Sequence, residues 1–343
     1  MNKRVLIFVV CILAPVILAG FFWLYKNSLL EKAKTVVQEQ SETDLVDAIN
    51  GLKASPKISS SRPIAVIVEN HPDARPQSGL SSADVVYEAL AEGGITRFLA
   101  VFQSNLPMQI GPVRSAREYF AELSDEWGAL FAHVGGSNEV IAQLKNGVYK
   151  NLDDANEYYN FDFFPRRNNK PQPHHIFTSV EKLRELISYY KYQTEAKYQP
   201  WKFKDDSPVA SATAVNISMD FSRAGYEVGW VYNSLNNSYN RLQYFQQHLD
   251  ENTGKQISAK TVVAQVVKVT PVPKDPLLSV DIDLKSGGKA YVFLDGQVIE
   301  GVWKNEQGRT RFYDRNNQEI SFNRGPIWVE LLPMEKENGL VWK

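Results

Sequence analysis

The chain has 343 residues, of which 43% are hydrophobic and 12% aromatic, so it can build more than one buried core. Its formal net charge of −1 at pH 7 excludes the strongly basic surface typical of nucleic-acid-binding proteins. Cys11 is the single cysteine, which excludes a disulfide framework. We therefore predict no nucleic-acid partner and a body that is stable through its core alone.

The N-terminus predicts a membrane anchor. A short basic start precedes an uncharged apolar run over residues 5–25, and a helix of that length covers roughly 30 Å, enough to cross a bilayer core. Trp23 and Tyr25 suit the membrane interface, and the basic flank favours a cytoplasmic N-terminus. We predict a single-pass signal anchor over residues 1–25, with the bulk of the chain outside the cytoplasm. A signal peptide cleaved near Leu18-Ala19-Gly20 is the alternative.

After the anchor, strand and helix patterns alternate in the first half of the chain. Residues 26–61 are polar, then rich in serine, which indicates a stalk or linker. Residues 62–198 predict an α/β-type N-terminal domain with a mixed sheet and flanking helices. The predicted strands cover 63–68, 85–92, 95–103 and 129–134, and the predicted helices cover 115–127, 138–145 and 178–192.

Local signals mark the ends of these elements. Gly93-Gly94 predicts a two-residue hairpin turn. Ser115 and Glu118 have the spacing of a capping box, as do Thr178 and Glu181. Each pair therefore predicts the first turn of a helix.

Residues 199–343 predict a mostly β C-terminal domain. The apolar pattern changes to a period of two, and Asp295-Gly296 is a turn signal. A small barrel or sandwich fits this pattern. The predicted fold class is therefore α+β in the first half and mostly β in the second, with one N-terminal transmembrane helix.

Arginine replaces lysine in one part of the first domain. Between Lys57 and Lys145 there is no lysine, yet the stretch carries five arginines: Arg62, Arg75, Arg97, Arg114 and Arg117. Guanidinium groups bind carboxylates or phosphates through two parallel hydrogen bonds and tolerate partial burial. This usage favours a site that holds an anion, although structural ion pairs with nearby acidic residues explain the same pattern.

The segment around Arg114 is the most specific candidate. A Gly-Pro turn precedes Arg114, Ser115 and Arg117, and the predicted helix start would add its backbone N–H groups. A second predicted helix start follows His133. We predict one anion-binding pocket, whose residues are Asn70, His71, Arg75, Arg97, Arg114, Ser115, Arg117, His133, Gly135, Gly136, Ser137 and His174.

Catalysis and metal binding receive weaker support. His133 or His174 could act as a general acid or base, with Glu88 or Glu92 as a carboxylate partner. His133 fits a buried core histidine equally well, and Ser115 fits a helix cap better than a nucleophile. No histidine pair shows a metal-ligand spacing, so we predict no metal site, and no cofactor-binding motif occurs.

Several long motifs carry a family resemblance. "AVIVENHPDARPQSGLSSADVVYEALAEGGITRF", "IGPVRSARE", "HVGGS" and "PHH" before "IFTS" resemble the N-terminal domain of the YerB-like lipoproteins, and "HLDENTGKQISAKTVV", "GGKAYVFLDGQVIEGVWK" and "FNRGPIWVELLP" resemble its C-terminal domain. The resemblance covers about residues 62–334 and implies a tethered bacterial envelope protein without an established activity. Two features depart from the family pattern: an apolar helix replaces the usual lipobox, and Pro173-His174-His175 replaces Pro-His-Asn.

Three hypotheses for function follow. The first is an envelope protein whose Arg/His pocket binds an anionic cell-wall component, either the carboxylates of peptidoglycan peptides or a phosphate-containing polymer. The second is a hydrolase or transferase that acts on wall glycan or polymer through a histidine acid/base. The third is a scaffold that docks an envelope protein partner through its β domain.

Overall fold

The structure, a computed structural model, describes residue 20, residues 22–32 and residues 45–343. Residues 22–32 are helical. Within this part of the chain, no helix is both long and apolar enough to cross a membrane. Most of the predicted anchor over residues 1–25, including Cys11, lies outside the described residues.

The helices are short and few in the described part of the chain. After the helical residues 22–32, the α-helices are α1 (Pro56–Ser59), α2 (Glu118–Glu126), α3 (Asn138–Lys145) and α4 (Val180–Tyr190). Turns of 3-10 helix cover Pro72–Ala74, Leu80–Ser82, Glu92–Gly94, Glu157–Tyr159, Phe161–Phe163 and Met334–Gly339.

Strands dominate the chain, as the frequent β-branched and aromatic runs predict. In the first part of the chain they are β1 (Leu45–Val46), β2 (Lys53–Ala54), β3 (Ile64–Glu69), β4 (Val85–Leu90), β5 (Thr96–Phe102), β6 (Leu130–His133), β7 (Asp153–Asn156) and β8 (Phe203–Lys204). Thereafter they are β9 (Asn216–Asp220), β10 (Glu227–Asn233), β11 (Ser238–Gln243), β12 (Gln246–Gln247), β13 (Ser258–Ala259), β14 (Thr261–Pro271), β15 (Val280–Asp283), β16 (Gly288–Leu294), β17 (Gln297–Glu306), β18 (Arg309–Asp314), β19 (Phe322–Asn323), β20 (Ile327–Pro333) and β21 (Val341–Trp342).

The main sheet runs through both halves of the chain. Its strand order is β18-β17-β16-β14-β20-β4-β5-β3-β6-β7, and β15 pairs with β14 at the side. The two halves join where β20 lies parallel to β4, with Glu330 opposite Glu88. Much of the β-rich half therefore extends the first sheet.

A second sheet is built from the C-terminal half alone. Its order is β12-β11-β10-β9-β21, with β13 paired to β11, and its neighbouring strands are antiparallel. Along β10, buried and half-buried residues alternate, which is the pattern of a sheet with one face against the core. The prediction of a mixed N-terminal sheet with helices and a mostly β C-terminal half is confirmed, and the structure adds that the second sheet is antiparallel.

The central strands of the main sheet are covered on both faces. On one face, α2 buries Tyr119, Phe120 and Leu123 in a core that includes alternate residues of β3 and β5. On the other, α4 and the second sheet share a core with the remaining residues of those strands. Each buried side chain of this size contributes roughly 1.5–3 kcal/mol. Because both faces are covered, β3 is buried along its whole length and its polar end, Glu69, is held in place.

Part of the segment assigned to the stalk is ordered. Asp47, Ile49 and Asn50 are buried, and the Asn50 amide donates to Asp84 Oδ1 over 2.6 Å. Leu45–Val46 and Lys53–Ala54 pair as an antiparallel ribbon.

Two predicted helix starts need correction. The helix expected from Ser115 begins at Glu118, with Arg117 as the N-cap residue and no side-chain cap. The residues before Glu118 are not helical, because Ala116 forms a β-bridge with Gly136 and Arg117 is extended. The helix expected from Thr178 is capped one residue later by Ser179, whose hydroxyl accepts the Lys182 N–H over 3.1 Å. The predicted cap of α3 is correct, since Ser137 accepts the Val140 N–H over 3.1 Å.

Candidate functional site

The candidate site begins where β3 ends. Residues 110–114 run alongside β3: the Glu69 N–H donates to Pro112 O over 2.9 Å, and the Arg114 N–H donates to Ile67 O over 3.0 Å. On the other side of β3, Arg97 of β5 lies opposite Glu69. The backbone therefore brings two of the predicted arginines to the same strand end.

Glu69 binds two of the predicted site residues at once. Its Oε1 lies 3.1 Å from Arg114 Nε, and its Oε2 lies 2.7 Å from His174 Nδ1. The Glu69 side chain is only 6% exposed, whereas that of Arg114 is 25% exposed. Glu69 thus fixes a guanidinium and an imidazole at the edge of the core.

Glu92 likewise binds two of the predicted site residues, Arg97 and Arg117. Its carboxylate lies 2.7 Å from Arg97 Nη2 and forms a second ion pair with Arg117. Arg97 also donates to Ser115 O over 3.1 Å. Burial lowers the pKa of Arg97 and Arg117, but a guanidinium remains protonated at neutral pH. Of the two alternatives drawn from the sequence, structural ion pairing describes Arg97 and Arg117.

Asn70 and Arg75 form the adjoining loop. Asn70 Oδ1 accepts Arg75 Nε over 3.0 Å and Gln77 Nε2 over 2.9 Å. Arg75 Nη2 donates to the carbonyls of Asn70 and Gly225, both over 3.0 Å. Within residues 45–343, Arg75 forms no ion pair with a carboxylate, so its charge is held by neutral groups.

His71 lies on the open side of this loop. It is the N-cap residue of the 3-10 turn Pro72–Ala74, and its Nδ1 accepts the Asp73 N–H over 3.3 Å. Its ring stacks on that of His174, with centroids 5.1 Å apart. The two histidines come from distant parts of the chain, and their contact places His174 in the same cluster.

The surroundings of His133 are those of a buried structural residue. It is fully buried, with Nδ1 2.6 Å from Gly135 O and Nε2 2.7 Å from Asp154 Oδ1. Both ring nitrogens therefore face protein oxygens, and neither is free for a substrate. This arrangement argues against His133 as a general acid or base.

The glycine turn after His133 is close to the arginine segment but is closely packed. Ala116 N–H donates to Gly135 O over 3.0 Å. A Cβ at Gly135 would lie 2.8 Å from the Tyr158 ring, and one at Gly136 would lie 2.7 Å from Val140. Ser137, the cap of α3, donates to Glu118 Oε1 over 2.6 Å. These residues therefore support the arginine segment.

Glu88 belongs to a buried polar network beneath the site. Its Oε1 accepts Thr96 Oγ1 over 2.5 Å and Asn70 Nδ2 over 3.2 Å, and Oε2 pairs with Arg241 of β11. Arg241 also donates to His248 Nδ1 over 2.6 Å, while His248 Nε2 donates to Gln77 Oε1 over 2.8 Å. The Glu88 side chain is fully buried, so as a catalytic candidate it has no access to substrate in this structure.

Sequence reasoning missed the acidic residues that organise the cluster. Glu69 is not among the predicted site residues, although a carboxylate at the end of an apolar strand is a usable signal. Arg241 and Glu330 lie in β-strands whose pattern gave no sign of a buried charge. The arrangement as a whole offers an arginine with partly exposed hydrogen-bond donors and two histidines beside it.

The chain as a whole is similar to a known protein family. Residues 49–193 match the family model described as "Protein of unknown function (DUF3048) N-terminal domain", and residues 217–329 match the corresponding C-terminal domain. A protein of Bacillus subtilis (strain 168) named "Putative lipoprotein YerB" is 37% identical over 291 residues, which cover 83% of this chain and 85% of the relative. The crystal structure of YerB protein from Bacillus subtilis aligns with a TM-score of 0.77 at 35% identity, covering 85% of this chain and 98% of that chain.

Proposed function

Because the chain belongs to the DUF3048 family, which includes a relative named as a lipoprotein, we propose that it is a membrane-anchored envelope protein that binds an anionic cell-wall component. The apolar N-terminal run supplies the anchor in this proposal, and the body lies outside the cytoplasm. The ligand is a carboxylate of a peptidoglycan peptide or a phosphate of a wall polymer.

The free side of Arg114 carries the proposal. Glu69 Oε1 faces its Nε, and within residues 45–343 neither Nη nitrogen of Arg114 has a hydrogen-bond partner. The side chain is 25% exposed, so these two nitrogens are within reach of a ligand. Two adjacent N–H groups on a plane match the two oxygens of a carboxylate or phosphate.

The local charge balance also favours an anion. Arg97 and Arg117 share the single carboxylate of Glu92, and Arg114 shares that of Glu69 with His174. Within residues 45–343, Arg75 forms no ion pair with a carboxylate. An arriving anion would add a counter-charge for these guanidinium groups in a partly buried environment, where an ion pair is stronger than in water.

Titration calorimetry on the full-length chain in detergent would test the proposal. The probes are a soluble muropeptide and poly(glycerol phosphate), which represent the two anion sources. Arg114→Ala should weaken binding of one probe at least tenfold, because a charge-assisted hydrogen bond contributes about 1.5–3 kcal/mol. Arg114→Lys keeps the charge but loses the paired geometry, so it should restore binding only in part.

Arg315→Ala is the matched control, since Arg315 is exposed and pairs with Glu300 of β17, at the opposite end of the main sheet from β3. It should bind like the wild type. If Arg114→Ala also binds both probes like the wild type, the anion-binding proposal is wrong. In that case a scaffold role through the β-rich half becomes the better hypothesis.

One contact supports a hydrolase or transferase as a second candidate. Glu69 Oε2 orients the His174 imidazole at 2.7 Å, an arrangement that enzymes use to position a histidine base. Under this hypothesis His174→Gln would abolish release of fragments from purified cell wall but spare binding. Absence of any turnover by the wild-type chain would count against it.

A further inference from the structure

We propose that His71, Asp73 and His174 form a binding site for a divalent transition metal, with zinc as the preferred ion. Each residue offers one ligand atom, and these atoms lie within 4.8 Å of one another. The sequence predicted no metal site because the two histidines lie far apart in the chain, and only the fold brings them together. This inference is independent of the proposed anion binding.

The ligand atoms are close to the spacing that a metal requires. His71 Nδ1 lies 3.6 Å from Asp73 Oδ2. The rings of His71 and His174 are 18° from parallel with centroids 5.1 Å apart, so the His71 ring must turn before both rings direct a lone pair at one ion. In a tetrahedral site with bonds of about 2.1 Å, neighbouring ligand atoms lie about 3.4 Å apart. The Asp73 side chain is 68% exposed and that of His71 34% exposed, so both have room to close around an ion.

His174 has the supporting contact typical of a metal-bound histidine. Its Nδ1 lies 2.7 Å from Glu69 Oε2, so Nδ1 donates to the carboxylate, and in the neutral ring Nε2 carries the lone pair that a metal binds. A carboxylate behind a ligating imidazole fixes the tautomer and orientation of the ring. Arg114 in turn holds Glu69 at 3.1 Å, and the His174 N–H donates to Pro171 O over 2.7 Å. The least exposed of the three ligands is therefore already oriented.

His71 also presents a lone pair. Its Nδ1 accepts the Asp73 N–H over 3.3 Å, so this nitrogen is unprotonated. A hydrogen bond of that length is weak and easily replaced by a metal bond. The same nitrogen faces the Asp73 carboxylate, which would complete a set of two nitrogens and one oxygen.

This set of donors selects the ion. Two imidazoles and one carboxylate suit zinc and related transition metals, whereas magnesium and calcium prefer oxygen ligands alone. Three protein ligands leave a fourth position for water or for a ligand oxygen.

Zinc titration of the full-length chain in detergent tests the site. The protein is prepared without a histidine tag, stripped with EDTA and titrated against a chromophoric chelator. The wild type should bind one zinc per chain at this site and bind no magnesium. His71→Ala and Asp73→Asn alter exposed side chains, so both should fold normally and each should weaken zinc binding at least tenfold.

Two further variants separate ligands from support. His174→Ala should also weaken zinc binding at least tenfold, and Glu69→Gln should weaken it 10- to 100-fold as a positioning residue. His175→Ala is the matched control, because His175 is the sequence neighbour of His174 but is outside the cluster; it should bind zinc like the wild type. Thermal melting in EDTA confirms that each variant is folded. If the wild type binds no zinc, or if His71→Ala and Asp73→Asn both bind it unchanged, the proposal is overturned.

Discussion

Glu88 and Glu330 lie directly opposite each other on parallel strands, and one comes from each half of the chain. Both side chains are fully buried, and Arg241 pairs with Glu88 while its Nε lies 3.9 Å from Glu330 Oε1. One cation thus serves two carboxyl groups. Burial, followed by the charge of Glu88, raises the pKa of Glu330 well above its usual value. Of the two carboxyl groups, Glu330 is therefore the one whose protonated form the surroundings favour.

This difference predicts that two similar substitutions, Glu330→Gln and Glu88→Gln, destabilise the fold to different extents. Glu330→Gln should change the free energy of unfolding by less than about 1 kcal/mol, because an amide has the shape of the protonated acid that burial favours and still accepts from Trp230 Nε1. Glu88→Gln should cost about 3–5 kcal/mol, because it leaves Arg241 buried without its counter-ion. Urea unfolding of both variants measures the difference. Equal losses would show that both carboxylates are charged.

The neighbouring His248 predicts loss of stability in mild acid. Burial lowers the pKa of His248 well below its ordinary value, and the charge of Arg241 adds to the effect. The folded state holds the neutral ring, so stabilisation is complete above the unfolded pKa of about 6.5 and is lost as the pH falls. Each pH unit below about 6 should cost up to about 1.4 kcal/mol from this group.

Urea unfolding of wild type and His248→Gln between pH 7.5 and 5 measures this contribution. The variant should be less stable at pH 7.5 but should show a shallower decline towards acid. Parallel curves for the two proteins would contradict the assignment of His248 to this loss.

Because Arg97 and Arg117 share the Glu92 carboxylate, we predict that removing its charge lowers the stability of the fold and increases its response to added anions. Glu92→Gln leaves Arg97 and Arg117 without their counter-ion, which should destabilise the fold by about 3 kcal/mol. Added phosphate should then raise the melting temperature of the variant more than that of the wild type, because it binds the vacated guanidinium groups. Glu122→Gln, which removes an exposed pair with Lys285, serves as the control. An equal phosphate response in all three proteins would contradict this prediction.

Gly111 predicts a steric requirement at the turn before Arg114. Its φ is +147°, and an added Cβ would lie 2.8 Å from the Phe177 ring and 3.1 Å from Ile176 O. Gly254 also has a positive φ, +64°, but nothing lies within 4 Å of its Cβ position. Gly111→Ala should therefore lose more stability than Gly254→Ala, for which backbone strain alone costs about 1 kcal/mol. Chemical denaturation compares them, and equal losses would show that the turn tolerates a side chain.

The sequence predicts strands better than it predicts contacts. β3, β5 and β6 are recognisable because each is a continuous apolar run covered on both faces. The start of α2 is misplaced because Ser115 and Glu118 match a capping box, while the tertiary pairing of Ala116 with Gly136 delays the helix. Local patterns carry no information about such a pairing.

The same limit applies to the candidate site. An excess of arginine over lysine draws attention to Arg97, Arg114 and Arg117, but their shared carboxylates depend on how the strands align. The contact of His174 with Glu69 joins residues from distant segments, and no spacing rule detects it. The role of Glu88 likewise becomes visible only with Arg241, which the second sheet supplies.

The parallel pairing of β20 with β4 has a consequence for biosynthesis. A ribosome completes β4 at Leu90 long before it reaches β20, which ends at Pro333. Until then, one edge of β4 has unpaired backbone groups, and such edges recruit strands from other chains. Newly made protein would therefore need protection from aggregation until β20 emerges, and removal of residues 327–343 would leave β4 permanently uncovered.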